Sequence, residues 1–130
     1  MISGDTAKSA TLERTSRKAD LLLHEALQPK LVGKMTKALD AKGIKNTAQI
    51  TRDILDYHAS PEEAAESATK AGVKQLVLTH IVPPVPSRFF NPAFLGDAPR
   101  RFKGEIIVGE DGMFFSLPAG SKEITRKQLM

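Results

Sequence analysis

The chain has 130 residues, 41% of them hydrophobic, and a formal net charge of +4. This length suits one domain with a buried core, and this composition excludes an intrinsically disordered chain. The chain has no cysteine, which excludes a disulfide scaffold, a zinc ribbon and a cysteine nucleophile. Any metal ion would therefore be held by histidine and carboxylate side chains.

The sequence gives little support for a nucleic-acid partner, a membrane partner or a signal peptide. The lysines are spread along the chain, so the positive charge does not by itself select a nucleic-acid partner. No apolar run reaches the length of a membrane span, so we expect no membrane partner. The first five residues lack the basic and apolar pattern of a signal peptide. The compartment stays unknown, with a cytoplasmic location favoured.

The first half of the chain predicts alternating strands and helices. Apolar residues at helical spacing indicate the helices, and a short continuous apolar run indicates a buried strand. The expected elements are a strand end at residues 1–2, a turn at 3–6, a helix at 10–19, a strand at 20–25, a helix at 29–41 and a helix from about 46 to 58.

The second half begins with a strong helix start. Ser60 can cap the helix, Pro61 suits its first position and Glu63 completes a capping box, while Gly72 ends it. A buried strand is expected at residues 73–79. The remaining expectations are a proline-rich loop at 81–99, a hairpin of strands 104–108 and 113–117 around Asp111-Gly112, and a polar, fraying tail at 119–130.

This order of elements favours an α/β fold, a mixed sheet with helices on one face, in a domain of residues 1–118. The three histidines each come at the end of an element: His24 and His80 after apolar strands, and His58 before the capped helix. Asp5 follows the first strand end. Ligands of open α/β sheets bind beyond the carboxyl ends of strands, so we expect these four side chains along one rim.

Each of these residues also has an ordinary structural explanation. A histidine after a strand is most often a hydrogen-bonded boundary residue, and an aspartate after glycine is most often a turn residue. Only their joint placement at one rim indicates a functional site.

Four sequence blocks together resemble a known family. They are Ser-Gly-Asp-Thr at 3–6, Ala-Asp-Leu-Leu-Leu-His-Glu-Ala at 19–26, His-Ala-Ser-Pro-Glu-Glu-Ala-Ala at 58–65 and Ala-Gly-Val-Lys-Gln-Leu-Val-Leu-Thr-His at 71–80. In this order they resemble the second half of ribonuclease Z-like metallo-β-lactamase-fold proteins. That group includes tRNA 3′-processing nucleases and arylsulfatase- or phosphodiesterase-like hydrolases. The resemblance covers about residues 1–117 and implies the carboxyl-terminal half of an αββα sandwich.

The resemblance also implies a role for each residue of the rim. Asp5 matches the aspartate that bridges two metal ions, and His80 matches the last metal-binding histidine. His58 matches the histidine that protonates the leaving group. Glu25 matches the carboxylate that orients this histidine. His24 is expected to support the site. Zinc is the expected metal, although manganese or iron would suit the same ligands. Two such cations activate a water molecule for hydrolysis.

The sequence departs from the family in two respects. The His-x-His-x-Asp-His metal motif and a further ligand histidine are missing, so we expect a fragment with an incomplete metal site that is inactive alone. Leu27 follows the His-Glu-Ala block, and Ile81-Val82-Pro83-Pro84 follows the last histidine. Both differ from the tRNA nucleases and favour the arylsulfatase-like branch.

Three functions therefore stay open. The parent protein is a di-zinc hydrolase of a phosphate or sulfate ester, or it is a tRNA 3′-processing endoribonuclease that acts on RNA. The third possibility is a non-catalytic half-fold that assembles with another chain. A half-sandwich exposes a sheet face, so we expect a homo-oligomer or pairing with the missing amino-terminal half.

Overall fold

A computed structural model describes all 130 residues of the chain. Two 3₁₀ turns, Ile54–Asp56 and Arg88–Phe90, accompany eleven regular elements. The helices are α1 (Ala10–Thr15), α2 (Pro29–Ala41), α3 (Lys45–Asp53), α4 (Pro61–Ala71), α5 (Asn91–Leu95) and α6 (Ala98–Arg101). The strands are β1 (Leu21–Leu27), β2 (Gln75–Val82), β3 (Glu105–Val108), β4 (Met113–Ser116) and β5 (Thr125–Gln128). None of the helices combines the length and apolar content needed to cross a bilayer.

The main sheet is parallel, with the strand order β1-β2-β3. Ile2 forms a parallel bridge to Leu23, so the start of the chain lies along the free edge of β1. This confirms the strand end that the first two residues predict. β4 and β5 form a separate antiparallel pair. The chain therefore has the α/β architecture expected from the alternation of its elements.

Helix α4 packs closely against the main sheet because its inner face is made of alanine. Ala64, Ala65 and Ala68 are fully buried and belong to one core cluster with Leu22 and Leu76 of the sheet. Small side chains let the helix approach the strands, and the buried apolar area stabilises the contact. The helices therefore cover one face of the sheet, as predicted.

The other face of the sheet is covered in part by the β4–β5 pair. Leu21, Val77 and Ile107 point to this side and pack against Met113 and Phe115 of β4. Alternation along each strand separates this cluster from the helical core.

The predicted start and end of α4 are confirmed. The Ser60 side chain accepts from the Glu63 backbone N–H, and the Glu63 carboxylate accepts from the Ser60 backbone N–H. Gly72 ends the helix with φ +71°, a conformation that glycine adopts without a steric cost. The capped start of α4 fixes the chain at Ser60, two residues after His58.

The predicted hairpin of strands 104–108 and 113–117 is wrong. β3 pairs in parallel with β2, while β4 pairs with β5, so the turn at Asp111-Gly112 carries the chain from one sheet to the other. The Asp-Gly pattern is local: it predicts a turn, but it does not predict which strands pair on either side of that turn. β3 completes a parallel ladder on β2 that no local pattern reveals.

Three other boundaries differ from the expectations. Residues 119–130 include β5, so this polar segment does not simply fray; β5 is an exposed strand whose backbone bonds go to β4. The segment 81–99 contains α5 and the start of α6, and Phe94 is fully buried there. Helix α1 ends at Thr15 rather than residue 19.

Candidate active site

Asp5 and His80 form an exposed pair at the carboxyl end of the parallel strands. The His80 Nδ1 and Asp5 Oδ1 atoms are 2.8 Å apart, and the two side chains are 55% and 64% exposed. Asp5 follows Gly4, whose φ of +65° turns the chain away from the edge of β1. The turn after Gly4 therefore brings Asp5 into contact with His80 near the carboxyl end of β2.

A β-bulge in β2 aims the His80 side chain. Glu25 of β1 pairs with Thr79 and Ala26 pairs with Ile81, so His80 is the extra residue between them. Its φ is +42°, a backbone conformation that non-glycine residues rarely adopt. The expectation that β2 ends at His80 is wrong, because the strand continues to Val82. Bulges of this kind redirect one side chain out of an otherwise regular ladder.

Glu25 is buried and binds three segments to one another. Its side chain is 1% exposed, and Oε1 accepts from the Ala59 N–H at 2.9 Å and from the Thr6 N–H at 3.2 Å. Its own N–H donates to Ser3 Oγ at 3.1 Å. One carboxylate therefore joins β1, the turn that carries Asp5 and the residue after His58.

His58 lies beside the second oxygen of this carboxylate. Its Nδ1 is 3.2 Å from Glu25 Oε2, the His58 side chain is 8% exposed, and neither atom has another partner. The imidazole rings of His58 and His80 are 5.7 Å apart between centroids, and the Tyr57 ring is 5.1 Å from the ring of His58. The buried Glu25–His58 pair and the exposed Asp5–His80 pair thus share one edge of the sheet.

His24 is fully buried and lies away from the other two histidines. It shares the helical face of β1 with Leu22 and Ala26, whereas Glu25 points to the opposite face. The expectation that β1 ends at His24 is wrong, because the strand continues to Leu27. His24 Nδ1 is 2.7 Å from the backbone oxygen of Glu25. His24 can therefore support the site only indirectly, by its contact with the backbone of Glu25 in β1.

Three donor atoms at the site are close enough to bind one cation. Glu25, His58 and His80 each offer an atom within 4.8 Å of the others. Glu25 already accepts two backbone hydrogen bonds through Oε1 and faces His58 through Oε2, which leaves Asp5 as the more available carboxylate. Imidazole and carboxylate donors suit zinc, manganese and iron. The residues therefore offer a partial ligand set for a metal ion, in which His80 is the accessible member and Asp5 lies beside it, outside the group of three.

An open pocket of about 310 Å³ lies next to His80 and extends toward the turn after β3. Glu110 and Asp111 line it together with Thr79. Arg88 donates to both carboxylate oxygens of Glu110, at 2.6 and 2.8 Å, and this pairing lowers the pKa of Glu110 below its ordinary range. Arg88 neutralises the charge of Glu110, so Asp111 is the carboxylate that this pocket adds to the edge of the site.

Several contacts at the site escaped the sequence analysis. The backbone N–H groups of Thr6 and Ala59 hold Glu25, and Glu110 reaches the pocket from a turn far along the chain. Thr6 and Ala59 stand inside the recognised blocks, yet their backbone donors leave no residue-type signal. The approach of Glu110 depends on the pairing of β3 with β2, which the sequence did not predict.

No protein-family model matches the chain. Ribonuclease Z of Mycobacterium sp. (strain KMS) is 39% identical over 112 residues, which are 85% of this chain and 35% of the relative. Ribonuclease Z of Mycobacterium tuberculosis is 33% identical over 112 residues, covering 85% of this chain and 36% of the relative. The metallo-beta-lactamase fold protein YhfI from Bacillus subtilis superposes with a TM-score of 0.55 and 20% identity, covering 97% of this chain and 39% of YhfI.

In sequence the chain is similar to part of ribonuclease Z, and in structure it has the metallo-β-lactamase fold. It spans about a third of the length of the curated relatives it matches. This confirms the resemblance that the four sequence blocks indicate.

Proposed function

We propose that the chain supplies the leaving-group side of a metal-dependent, RNA-hydrolysing active site of the ribonuclease Z type. One observation carries the proposal: a buried imidazole–carboxylate pair lies next to an exposed one, with 5.7 Å between the rings of His58 and His80. Hydrolysis of a phosphodiester needs both a cation site and a proton donor for the departing oxygen. The exposed pair offers the cation site, and the buried pair offers the proton donor.

Asp5 and His80 would hold the metal. When bound, the cations stabilise the developing charge on the phosphoryl oxygens and activate water. One carboxylate and one imidazole do not complete the coordination of even a single zinc ion. Further ligands are therefore needed from outside the 130 residues, and we expect this chain by itself to be inactive.

His58 would donate a proton to the leaving oxygen. Glu25 lies on its Nδ1 side, which leaves Nε2 as the atom to face the substrate. A carboxylate in this position favours one ring tautomer and stabilises the protonated imidazole. The hydrogen bonds from Thr6 and Ala59 hold Glu25 in place, so the direction of the His58 ring is set before any substrate binds.

RNA is the substrate that the relatives favour, because those at 33–39% identity are named ribonuclease Z. A small phosphate or sulfate ester is the second candidate. It is favoured by Pro83-Pro84 and by Leu27, which depart from the tRNA nuclease pattern. Both substrates need the same proton donor, so the geometry of the site does not distinguish them. An activity assay with each substrate does.

The proposal is tested in the complete gene product that contains this sequence, with His58→Ala compared with Tyr57→Ala as the neighbouring control. We expect His58→Ala to lower turnover of a 3′-extended tRNA by roughly 10²–10⁴-fold, the usual worth of a general acid, with metal content unchanged. Tyr57→Ala should leave turnover within a few-fold, and His80→Ala should lose metal.

Three results would contradict these roles. Loss of metal from His58→Ala would make His58 a ligand. Hydrolysis of RNA by the 130-residue chain alone would show that the ligand set is complete. Turnover of p-nitrophenyl phosphate or sulfate without any tRNA processing would favour the small-ester alternative.

A third candidate is an assembly in which this half-fold pairs with another chain. Ile2 is 70% exposed on the strand stub beside β1, where an unpaired sheet edge offers backbone donors and acceptors. We expect the isolated chain to self-associate through this edge. Size-exclusion chromatography that shows a monomer at high concentration would contradict this.

A further inference from the structure

One helical hairpin carries an excess of positive charge. Residues 28–56, which hold α2 and α3, contain six basic and three acidic residues, a net charge of +3 out of +4 for the whole chain. Arg52 pairs with Asp40. The other five are exposed lysines that make no ion pair or side-chain hydrogen bond: Lys30, Lys34, Lys37, Lys42 and Lys45.

Three of these lysines form a single row, which we call the lysine face. Lys30, Lys34 and Lys37 stand at positions i, i+4 and i+7 of α2, so they project from one side of the helix. Like charges at this spacing repel one another and cost stability unless an anion lies among them. A row of lysines without carboxylates fits a ligand with repeated negative charges.

An apolar hollow with an aromatic wall adjoins the lysine face. This hollow of about 280 Å³ is bounded by Lys34 and Met35 of α2 and by Phe90 across from them. Phe89 contacts Phe90 edge-on, with 5.3 Å between ring centroids, and is 84% exposed. Exposed aromatic rings beside a basic row offer stacking surfaces for unpaired bases.

The lysine face begins at the same edge of the sheet as His58 and His80. Val82 ends β2 two residues after His80, and its oxygen accepts from the Gln28 N–H at 2.8 Å, directly before α2. Pro83, the next residue, lines the apolar hollow. The hollow and the start of α2 therefore adjoin the end of β2, two residues beyond His80.

The same charges could attract an anionic membrane, but α2 is poorly suited to lie on one. An interfacial helix needs a free apolar side that can enter the lipid. The inward side of α2 is occupied, because Val32 is fully buried and Thr36 hydrogen-bonds Thr51 of α3 at 2.8 Å. Single-stranded RNA needs only the exposed lysines and rings.

We infer that the lysine face and the Phe90 hollow form a docking surface for the single-stranded part of an RNA, with the lysines on its phosphates and a base against Phe90. This inference rests on the proposed function for the nature of the ligand. It does not rest on metal binding or turnover, because docking needs neither.

The test measures binding of a fluorescent, mixed-sequence single-stranded RNA of 15 nucleotides to the 130-residue chain by anisotropy, over a range of salt concentrations. The variant Lys30→Glu/Lys34→Glu/Lys37→Glu is compared with Lys103→Glu/Lys122→Glu/Lys127→Glu, which makes the same charge change at exposed lysines elsewhere. Phe90→Ala is compared with Phe114→Ala, since the two rings are 47% and 48% exposed.

If the inference is right, the lysine-face variant weakens binding at least about tenfold more than its control. Its salt dependence (log Kd against log salt) becomes shallower by about 2, at roughly 0.7 for each neutralised phosphate. Phe90→Ala should weaken binding at least about fivefold more than Phe114→Ala, as expected for loss of one stacked base. Circular dichroism and thermal unfolding confirm that each variant is folded.

Equal losses in the two triple variants would overturn the inference, because they would show binding through net charge alone. Absence of RNA binding by the native chain would overturn it as well, as would binding to phosphatidylserine vesicles in place of RNA. Loss of turnover in His58→Ala with RNA binding intact would leave the docking surface standing. RNA binding without any turnover in the complete protein would contradict only the proposed hydrolysis.

Discussion

The two imidazole–carboxylate pairs of the site use the same residue types under opposite conditions. Glu25 and His58 are 1% and 8% exposed, whereas Asp5 and His80 are 64% and 55% exposed. The buried carboxylate accepts two backbone hydrogen bonds and joins three segments. The exposed pair holds nothing else together, and one of its members has a strained backbone.

This difference separates residues that set the shape of the site from residues that meet the solvent. A buried carboxylate is stable only when its oxygens are satisfied, so its surroundings become rigid. An exposed pair is screened by water and contributes little to stability, which leaves its donor atoms free for a cation. Substitutions in the two pairs should therefore affect stability very differently.

The largest expected effect is the loss of the buried carboxylate. Glu25→Ala leaves the Thr6 and Ala59 N–H groups without an acceptor, and we expect the free energy of unfolding to fall by about 3 kcal/mol. Asp5→Ala, the matched change in the exposed pair, should alter it by less than about 0.5 kcal/mol. Urea unfolding of the 130-residue chain measures both. Similar values for the two variants would remove the distinction between the pairs.

A smaller effect is expected from the backbone of His80. At its φ of +42° a side chain is strained and glycine is not. His80→Gly should therefore be more stable than His80→Ala by about 1 kcal/mol, even though both lose the contact with Asp5. Thermal or urea unfolding compares the two variants. An alanine variant as stable as the glycine variant would show that the bulge carries no strain.

The smallest effect is expected at an ion pair outside the site. Glu66 accepts from Lys8 and from Arg101, and these hydrogen bonds lower its pKa below the ordinary value of 4.5. A lowered pKa contributes stability above pH 4.5 that is lost as the pH falls through the folded-state pKa. This contribution should be below about 1 kcal/mol, because the pair is partly exposed.

Thermal unfolding between pH 6 and pH 3 tests this contribution. Glu66→Gln should lose less stability on acidification than the native chain, while Glu123→Gln in the exposed tail should behave like the native chain. A native pH dependence in Glu66→Gln would contradict the assignment.

Local signals in the sequence predicted the elements whose boundaries are set by neighbouring residues. The capping box of Ser60 and Glu63 with Pro61 placed the start of α4, and Gly72 placed its end. The continuous apolar runs located β1 and β2. These features depend on hydrogen bonds and steric limits within a few residues.

Contacts between distant segments could not be predicted in this way. The pairing of β3 with β2 and of β4 with β5 depends on which ladder buries more surface, and the turn at Asp111-Gly112 is compatible with either. The bulge at His80 arises because β2 must keep its register with β1 beyond residue 79. Nothing local to His80 marks this requirement.

The amino-acid sequence alone predicted which side chains could carry chemistry and which turns and strands they belong to, because residue type and turn geometry are local properties. Only the tertiary structure decided that Glu25 is buried, that His24 points into the helical core and that the lysine face adjoins Phe90. The burial of a side chain and the direction in which it points depend on packing between segments far apart in the chain. That packing is a property of the whole fold.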